Sequence, residues 1–206
     1  IAHMAKMKGY RVGYTTSDGV YIQNRLLMKG DCTGPASAEF VLKDPTVNFA
    51  VLECARGGLL RAGLGFKKCD VGIVTNVAAD HLGLKGIHTV EQLAKVKGVI
   101  PETVLPDGYA ILNADDDLVY EMRRSINCNL ALFSMDEENP RIKALQKLGG
   151  ITAVYENGYV TLCRGTWKMR IMKAENIPLT YGGKATFMIQ NVLPAVIAAN
   201  VRGIGI

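Results

Sequence analysis

Short, nearly continuous apolar runs alternate along the chain with stretches in which apolar residues return every three or four positions. The runs are YRVGYTT (10–16), NFAVLECA (48–55), VGIVTNVA (71–78), GYAILNAD (108–115) and LALFSM (130–135), rich in β-branched and aromatic residues. A half-exposed strand alternates apolar with polar residues, so a run with no polar side predicts a strand covered on both faces, as in a parallel sheet. PASAEFVLKD, TVEQLAKVKGVI, DDLVYEMRRSI and NPRIKALQKLG lie between or after these runs with helical spacing. Asp or Thr stands at several of their starts, where a side-chain oxygen can cap free N–H groups. The opening IAHMAKMKGYRVGY reads as the last turns of an amphipathic helix, stopped at Gly9 and followed by a strand, so the chain is expected to begin inside a fold.

This alternation predicts an α/β fold with a doubly wound, mostly parallel sheet flanked by helices. After Gly149 the period changes. ITAVYENGYVTLCRGTWKMRIMKAENI alternates with period two about Asn157-Gly158, a type I′ hairpin signal, and predicts a small antiparallel sheet within residues 150–177. TFMIQNVLPAVIAANVRGI then predicts a helix stopped by Gly203. A chain of 206 residues is long enough for one main core, so residues 1–206 are expected to form one domain containing that small antiparallel part.

Composition narrows the class. No apolar run approaches the roughly 18 residues that cross a bilayer, which argues against a membrane protein. The cysteines Cys32, Cys54, Cys69, Cys128 and Cys163 are odd in number and scattered, with no CxxC pair, so neither a disulfide framework nor a zinc knuckle is indicated and a reducing cytoplasm is expected. The net charge of +5 is mild, and the 24 basic residues form no run with interleaved aromatics. Nucleic acid is therefore not the expected partner, whereas an anionic small or polymeric substrate suits the charge.

In open α/β sheets ligands bind beyond the carboxyl ends of the strands. There, one run delivers Glu53, another Asn76 and then Asp80-His81, and a third ends in Asn113-Ala114-Asp115-Asp116. Each has a structural explanation: Glu53 can pair with Arg56, Asp80 can cap the next segment, and NADD is a good helix start. Their convergence on one sheet edge points instead to a shared ligand. A carboxylate near an imidazole suits a divalent cation bridged to phosphate oxygens, with Glu53 as a hard oxygen ligand and His81 bound through a ring nitrogen. Zinc would want more nitrogen or sulfur.

The helix after DHLG adds a second clue. At 100° per residue Val90, Leu93, Ala94, Lys97 and Ile100 share one side, with Glu91 and Lys95 opposite as an i, i+4 pair. A lysine centred on an apolar face either reaches its amine to the rim or has a task. Desolvation lowers an amine's pKa and opens it to carbon dioxide, and the resulting carbamate would be an anionic metal ligand. The phosphate-cradling GxxxxGK[ST] pattern does not occur in the 206 residues. GGKAT (182–186) fails it, since Ala185 stands where Ser or Thr must follow the lysine and Pro178 where the first glycine belongs.

LECARGG, TNVAADHLG, Lys97 and LNADD fall in the order and approximate spacing of the central ATP-binding domain of the Mur ligases and folylpolyglutamate synthetases, which the chain resembles. More narrowly, GYTTSDGVYI, ECARGGLLRAGLGF, GGITAVYENGYVTL and IPLTYGGKATFMIQN resemble the Mur-ligase-like region of the cyanophycin synthetase family, over essentially the whole length. In such a domain the phosphate-binding loop lies directly before the helix that opens this chain, so the resemblance implies a central domain cut after that loop and before the C-terminal domain. It implies ATP and magnesium as cofactors. Glu53 would hold the magnesium shared with the ATP phosphates. His81 and a carbamylated Lys97, the catalytic pair, would hold a second ion, Lys95 being the rival that helix phase disfavours. Asn191 matches the Mur-ligase asparagine that approaches adenine, and Asn76 would join it in binding ATP. Phe187 and Met188 depart from that pattern by replacing a His-Asn pair.

The reaction implied is ATP-driven amide synthesis. A carboxylate attacks the γ-phosphate, an amine attacks the acyl phosphate so formed, and a tetrahedral intermediate collapses to amide and phosphate. The resemblance makes the partners a poly-aspartate (cyanophycin) polymer, arginine and ATP, with a homo-oligomer expected for the full-length enzyme. Thr15, Thr16, Ser17 and Asp18 after the first strand, with Arg56 and Arg61, would contact the polymer, although the two arginines serve equally as surface or intradomain pairs. The alternatives are a peptidoglycan or folate ligase, or a non-catalytic scaffold, and the isolated chain is expected to be inactive.

Overall fold

The computed structural model describes residues 1–79, 83 and 86–205. They form two compact units. One comprises Ile1–Lys68, the described residues from 83 to 97 and Gly205; the other comprises residues 69–79 and Gly98–Ile204.

The first unit is built on a four-stranded sheet ordered β3-β2-β1-β4, from β1 (Val12–Thr15), β2 (Gly19–Ile22), β3 (Arg25–Lys29) and β4 (Phe49–Leu52). β1 runs antiparallel to β2 and parallel to β4, with Thr15 paired to Leu52. Helix α1 (Ala2–Met7) ends as the sequence predicts: Gly9 takes a left-handed φ of 95°, Tyr10 N–H bonds to Ala5 O at 3.1 Å and Gly9 N–H to Lys6 O at 2.8 Å, the Schellman arrangement. Helix α2 (Pro35–Lys43) starts with Pro35, whose missing N–H is no loss at a first turn. It packs closely on β1 because Gly13 has no side chain; a Cβ there would lie 2.6 Å from Val41 Cγ1. Val20, Ile22, Cys32 and Val41 form the buried cluster, joined by Val47, Ala50 and Leu52.

The second unit carries a six-stranded sheet ordered β10-β9-β8-β7-β6-β5. Its strands are β5 (Cys69–Val74), β6 (Val104–Asn113), β7 (Asn129–Ser134), β8 (Ile151–Glu156), β9 (Tyr159–Arg164) and β10 (Trp167–Lys173). β5 to β8 are parallel, and β8 to β10 continue the same sheet antiparallel. The hairpin turns where the sequence places it, with Asn157 at φ 50° and Gly158 at φ 83°. Helix α7 (Thr186–Val201) packs against β6 to β9 and α6 (Pro140–Lys147) against β7 and β8. Ile111, Leu112, Leu132, Phe133, Ile142, Leu162, Ile189, Leu193 and Ile197 are fully buried between them.

The α/β class and the mostly parallel sheet agree with the sequence reading, but the apolar runs divide between two sheets. β1 and β4 pair with each other, and the later runs form β5 to β7. Apolar continuity reports cover on both faces and does not name the neighbouring strand. No helix among the described residues is long and apolar enough to cross a membrane.

Candidate functional site

In the first unit, the parallel pairing of β1 with β4 brings the residues after both strands to one sheet edge. The buried Thr15 accepts a hydrogen bond from the Glu53 backbone N–H at 3.0 Å, which fixes where the exposed Glu53 leaves the strand. Thr16 turns the chain: its Oγ1 accepts from the N–H groups of Asp18 at 3.1 Å and Gly19 at 3.3 Å, leaving Ser17 and Asp18 exposed at the tip. Beyond Glu53, Ala55 N–H reaches Thr33 O at 3.2 Å and α3 (Arg56–Ala62) begins. Arg56, half-buried, opens this helix and Arg61, exposed, lies in its last turn. Arg61 acts on Asp31, whose carboxyl is held below its ordinary range first by hydrogen bonds from Thr33 and then by the Arg61 charge.

Two glycines of ARGGLLRAGLG, Gly58 and Gly65, have a steric reason. A Cβ on Gly58 would lie 2.9 Å from Gly34 Cα, and one on Gly65 only 2.4 Å from Pro35 O, so the segment after Glu53 lies directly on the start of α2. This close approach holds the polar edge in shape.

Helix α4 (Val90–Glu102) is started by a capping box: Thr89 Oγ1 accepts from Gln92 N–H at 3.2 Å, and Gln92 Oε1 accepts from His88 N–H at 2.7 Å and Thr89 N–H at 3.2 Å. Its residues to 97 belong to the first unit and the rest to the second. The predicted phase holds. Leu93 and Ala94 are buried, Val90, Lys97 and Ile100 half-buried, and Glu91 and Lys95 exposed. Glu53 and Lys97 thus belong to the same unit, whereas His81, with Asp80, lies outside the described residues. Among the described residues no group of three or more His, Cys, Asp and Glu could hold a metal ion; of the expected set, Glu53 is the only member of those residue types described.

The second unit has an open cleft of about 350 Å³ at the carboxyl ends of β5 and β6, where the strand-end rule places a ligand. Asn76, Val77, Asn113, Asp115, Asp116, Asp117, Leu118 and Gln190 line it. The NADD segment serves structure here, as its plainer reading allows. Asn113 donates to Thr75 O at 2.8 Å and accepts from Asp115 N–H at 2.9 Å. Asp116 caps α5 (Asp117–Glu121) through Val119 N–H at 3.0 Å and also holds Val77 N–H at 2.7 Å. Asp115 accepts from Ser134 Oγ, from Met135 N–H at 2.8 Å and from Asn139 at 2.9 Å, tying β6 to β7. Asn76, exposed, belongs to this cleft; Asn191, also exposed, follows the lining residue Gln190 on α7. Asp117 and Gln190 were not singled out from sequence, since a surface Asp in a helix's first turn and a Gln inside an apolar helix carry no distinctive pattern.

The family model of the Mur ligase middle domain matches residues 1–199. The chain is 55% identical over all of its 206 residues to a cyanophycin synthetase of Geminocystis herdmanii and 54% to one of Synechocystis sp., and it spans about a quarter, 24%, of the length of each. Among solved structures, MurF from Acinetobacter baumannii is similar with a TM-score of 0.65 at 18% identity, over 100% of this chain and 40% of that one, a likeness of fold. The chain belongs to the Mur ligase middle domain family.

Proposed function

We propose that the chain supplies the ATP-handling middle part of an amide-forming ligase that joins arginine to the aspartate side-chain carboxylates of a poly-aspartate backbone. The observation that carries this reading is the 55% identity to a cyanophycin synthetase along the entire chain. A polymer carboxylate attacks the γ-phosphate of ATP, and the arginine α-amine then displaces phosphate from the acyl phosphate through a tetrahedral intermediate.

Glu53 fits the proposed metal role by chemistry, being an exposed hard-oxygen ligand whose backbone is fixed by Thr15. Magnesium bound there would neutralise charge on the transferring phosphoryl group. His81 and carbamylated Lys97 would complete the ligand set. Thr16, Ser17 and Asp18 form a turn beside Glu53 on the same sheet edge, where donor groups can orient a polymer carboxylate. Arg56 and Arg61 would pair with neighbouring carboxylates of the polymer. Asn76 and Asn191 would meet the nucleoside half of ATP. The acidic lining of the second unit's cleft repels a triphosphate, so it suits that uncharged half.

Replacing the matching segment of the Geminocystis herdmanii protein with this chain tests the proposal. The chimera is expected to release phosphate from ATP only when poly-aspartate and arginine are both present. A folded chimera that responds instead to a UDP-muropeptide and its amino acid, or to neither pair, overturns it. The isolated chain is expected to turn over no ATP, since its sequence has no GxxxxGK[ST].

A further inference from the structure

Most of the polar lining of the second unit's cleft is already engaged. Both ends of the Asn113 amide are used, Asp116 holds two N–H groups, and Asp115 holds Ser134, Met135 and Asn139. Two lining groups stand apart. Gln190 makes no side-chain hydrogen bond to the described residues. Asp117, 84% exposed, uses Oδ1 for Arg141 Nη2 and leaves Oδ2 without a partner among the described residues.

Arg141 is held on more sides than an exposed ion pair requires. Its Nη1 donates to Ala114 O at 2.9 Å, its guanidinium lies 4.3 Å from the Tyr120 ring, and the same ring lies 4.1 Å from Arg123. An exposed pair adds little stability because ordering two long side chains offsets the attraction. What this anchored arginine provides is a fixed position for the Asp117 carboxylate at the cleft.

A carboxylate with an open oxygen accepts hydrogen bonds from a diol, and an unengaged primary amide both donates and accepts, as the edge of a base requires. The cleft volume of about 350 Å³ lies within the range of small-molecule sites. A second guanidinium, such as that of free arginine, is the rival ligand for an acidic cleft. Here it would meet the like charge of Arg141, which already occupies Asp117. We propose that Asp117 and Gln190 read the nucleoside half of the nucleotide, Asp117 accepting from the ribose hydroxyls and Gln190 pairing with the base edge, with Arg141 as the positioning residue. This inference rests on the nucleotide-handling reading above.

Adenosine, 2′,3′-dideoxyadenosine, inosine, ATP and L-arginine are the probes, titrated into the full 206-residue chain with backbone amide shifts as the readout. Adenosine is expected to shift the amides of 76–77, 113–118 and 190. The dideoxy nucleoside should bind roughly tenfold or more weakly, the loss of a hydrogen bond to a charged group. Asp117→Ala should abolish that difference, and Gln190→Ala should bring adenosine and inosine to equal affinity while leaving the ribose preference intact. Arg141→Lys should lower the ribose preference with the amide spectrum elsewhere unchanged. Equal binding of the two adenine nucleosides to the unaltered chain overturns the proposal without touching the nucleotide reading, as do adenosine shifts confined to other residues. Arginine displacing adenosine from the cleft also overturns it. If neither adenosine nor ATP shifts any amide, the nucleotide reading itself fails.

Discussion

Glu156 shows how a single charge can be set by its neighbours. Its side chain is largely buried beside β10, where Lys168 Nζ lies 2.9 Å and Arg170 Nη2 3.5 Å from its two oxygens. The hydrogen bond from Lys168 is the largest influence holding the Glu156 carboxyl below its usual range, with burial opposing and Arg170 adding to it. A depressed folded value contributes stability that is full above the unfolded carboxylate pKa of about 4.3 and is lost as pH falls through the folded value. Glu156→Gln is therefore expected to cost about 1 kcal/mol at pH 7 and to flatten the stability decline between pH 5 and pH 3. Urea unfolding at each pH measures both, and an unchanged acid decline would refute the assignment. None of this was legible in the sequence, where Glu156 and Lys168 are ordinary charges on period-two segments. Gly9, Gly158 and Gly203, by contrast, could be read as turns and stops, because positive φ is a local demand that glycine answers locally. Gly58 and Gly65 answer a distant one, the approach of Gly34 and Pro35, which sequence does not display.

At the scale of elements, a sustained period marks a helix even where no side chain caps it, as in α2 and α7, and a short one without a period is not legible. α3 is seven residues with two adjacent glycines, too short and too flexible to show a period. The β2–β3 hairpin turns at Gln23-Asn24, with φ of 47° and 74°, a type I′ geometry without the Asn-Gly signature. α4 shows the opposite case, since Thr89 and Gln92 stand at capping-box spacing and bond reciprocally. Thr89→Ala is expected to destabilise the chain by about 1 kcal/mol in denaturant unfolding. Amide exchange should quicken first in the turn that follows it; exchange that stays slow there would show that tertiary packing alone holds the helix start.

For the molecule as a whole, β1 and β4 to β10 could be read as strands but β2 and β3 could not, and beyond the hairpin at Asn157-Gly158 strand partnership could not be read. Two kinds of sheet edge result. β3 carries Arg25 and Lys29 and β10 carries Lys168, Arg170 and Lys173, whereas β4, Phe49–Leu52, has no charge and β1 is its only hydrogen-bonded neighbour among the described residues. Charged side chains on an edge strand discourage pairing with another chain, and an apolar edge invites it. Sedimentation of the chain is expected to show association that grows with concentration and weakens in Val51→Lys, with a thermal melt confirming that the variant folds. A chain that stays monomeric across that range would refute the argument. The cationic outer strands thus act as gatekeepers against templated growth, and β4 is where an aggregation seed would start.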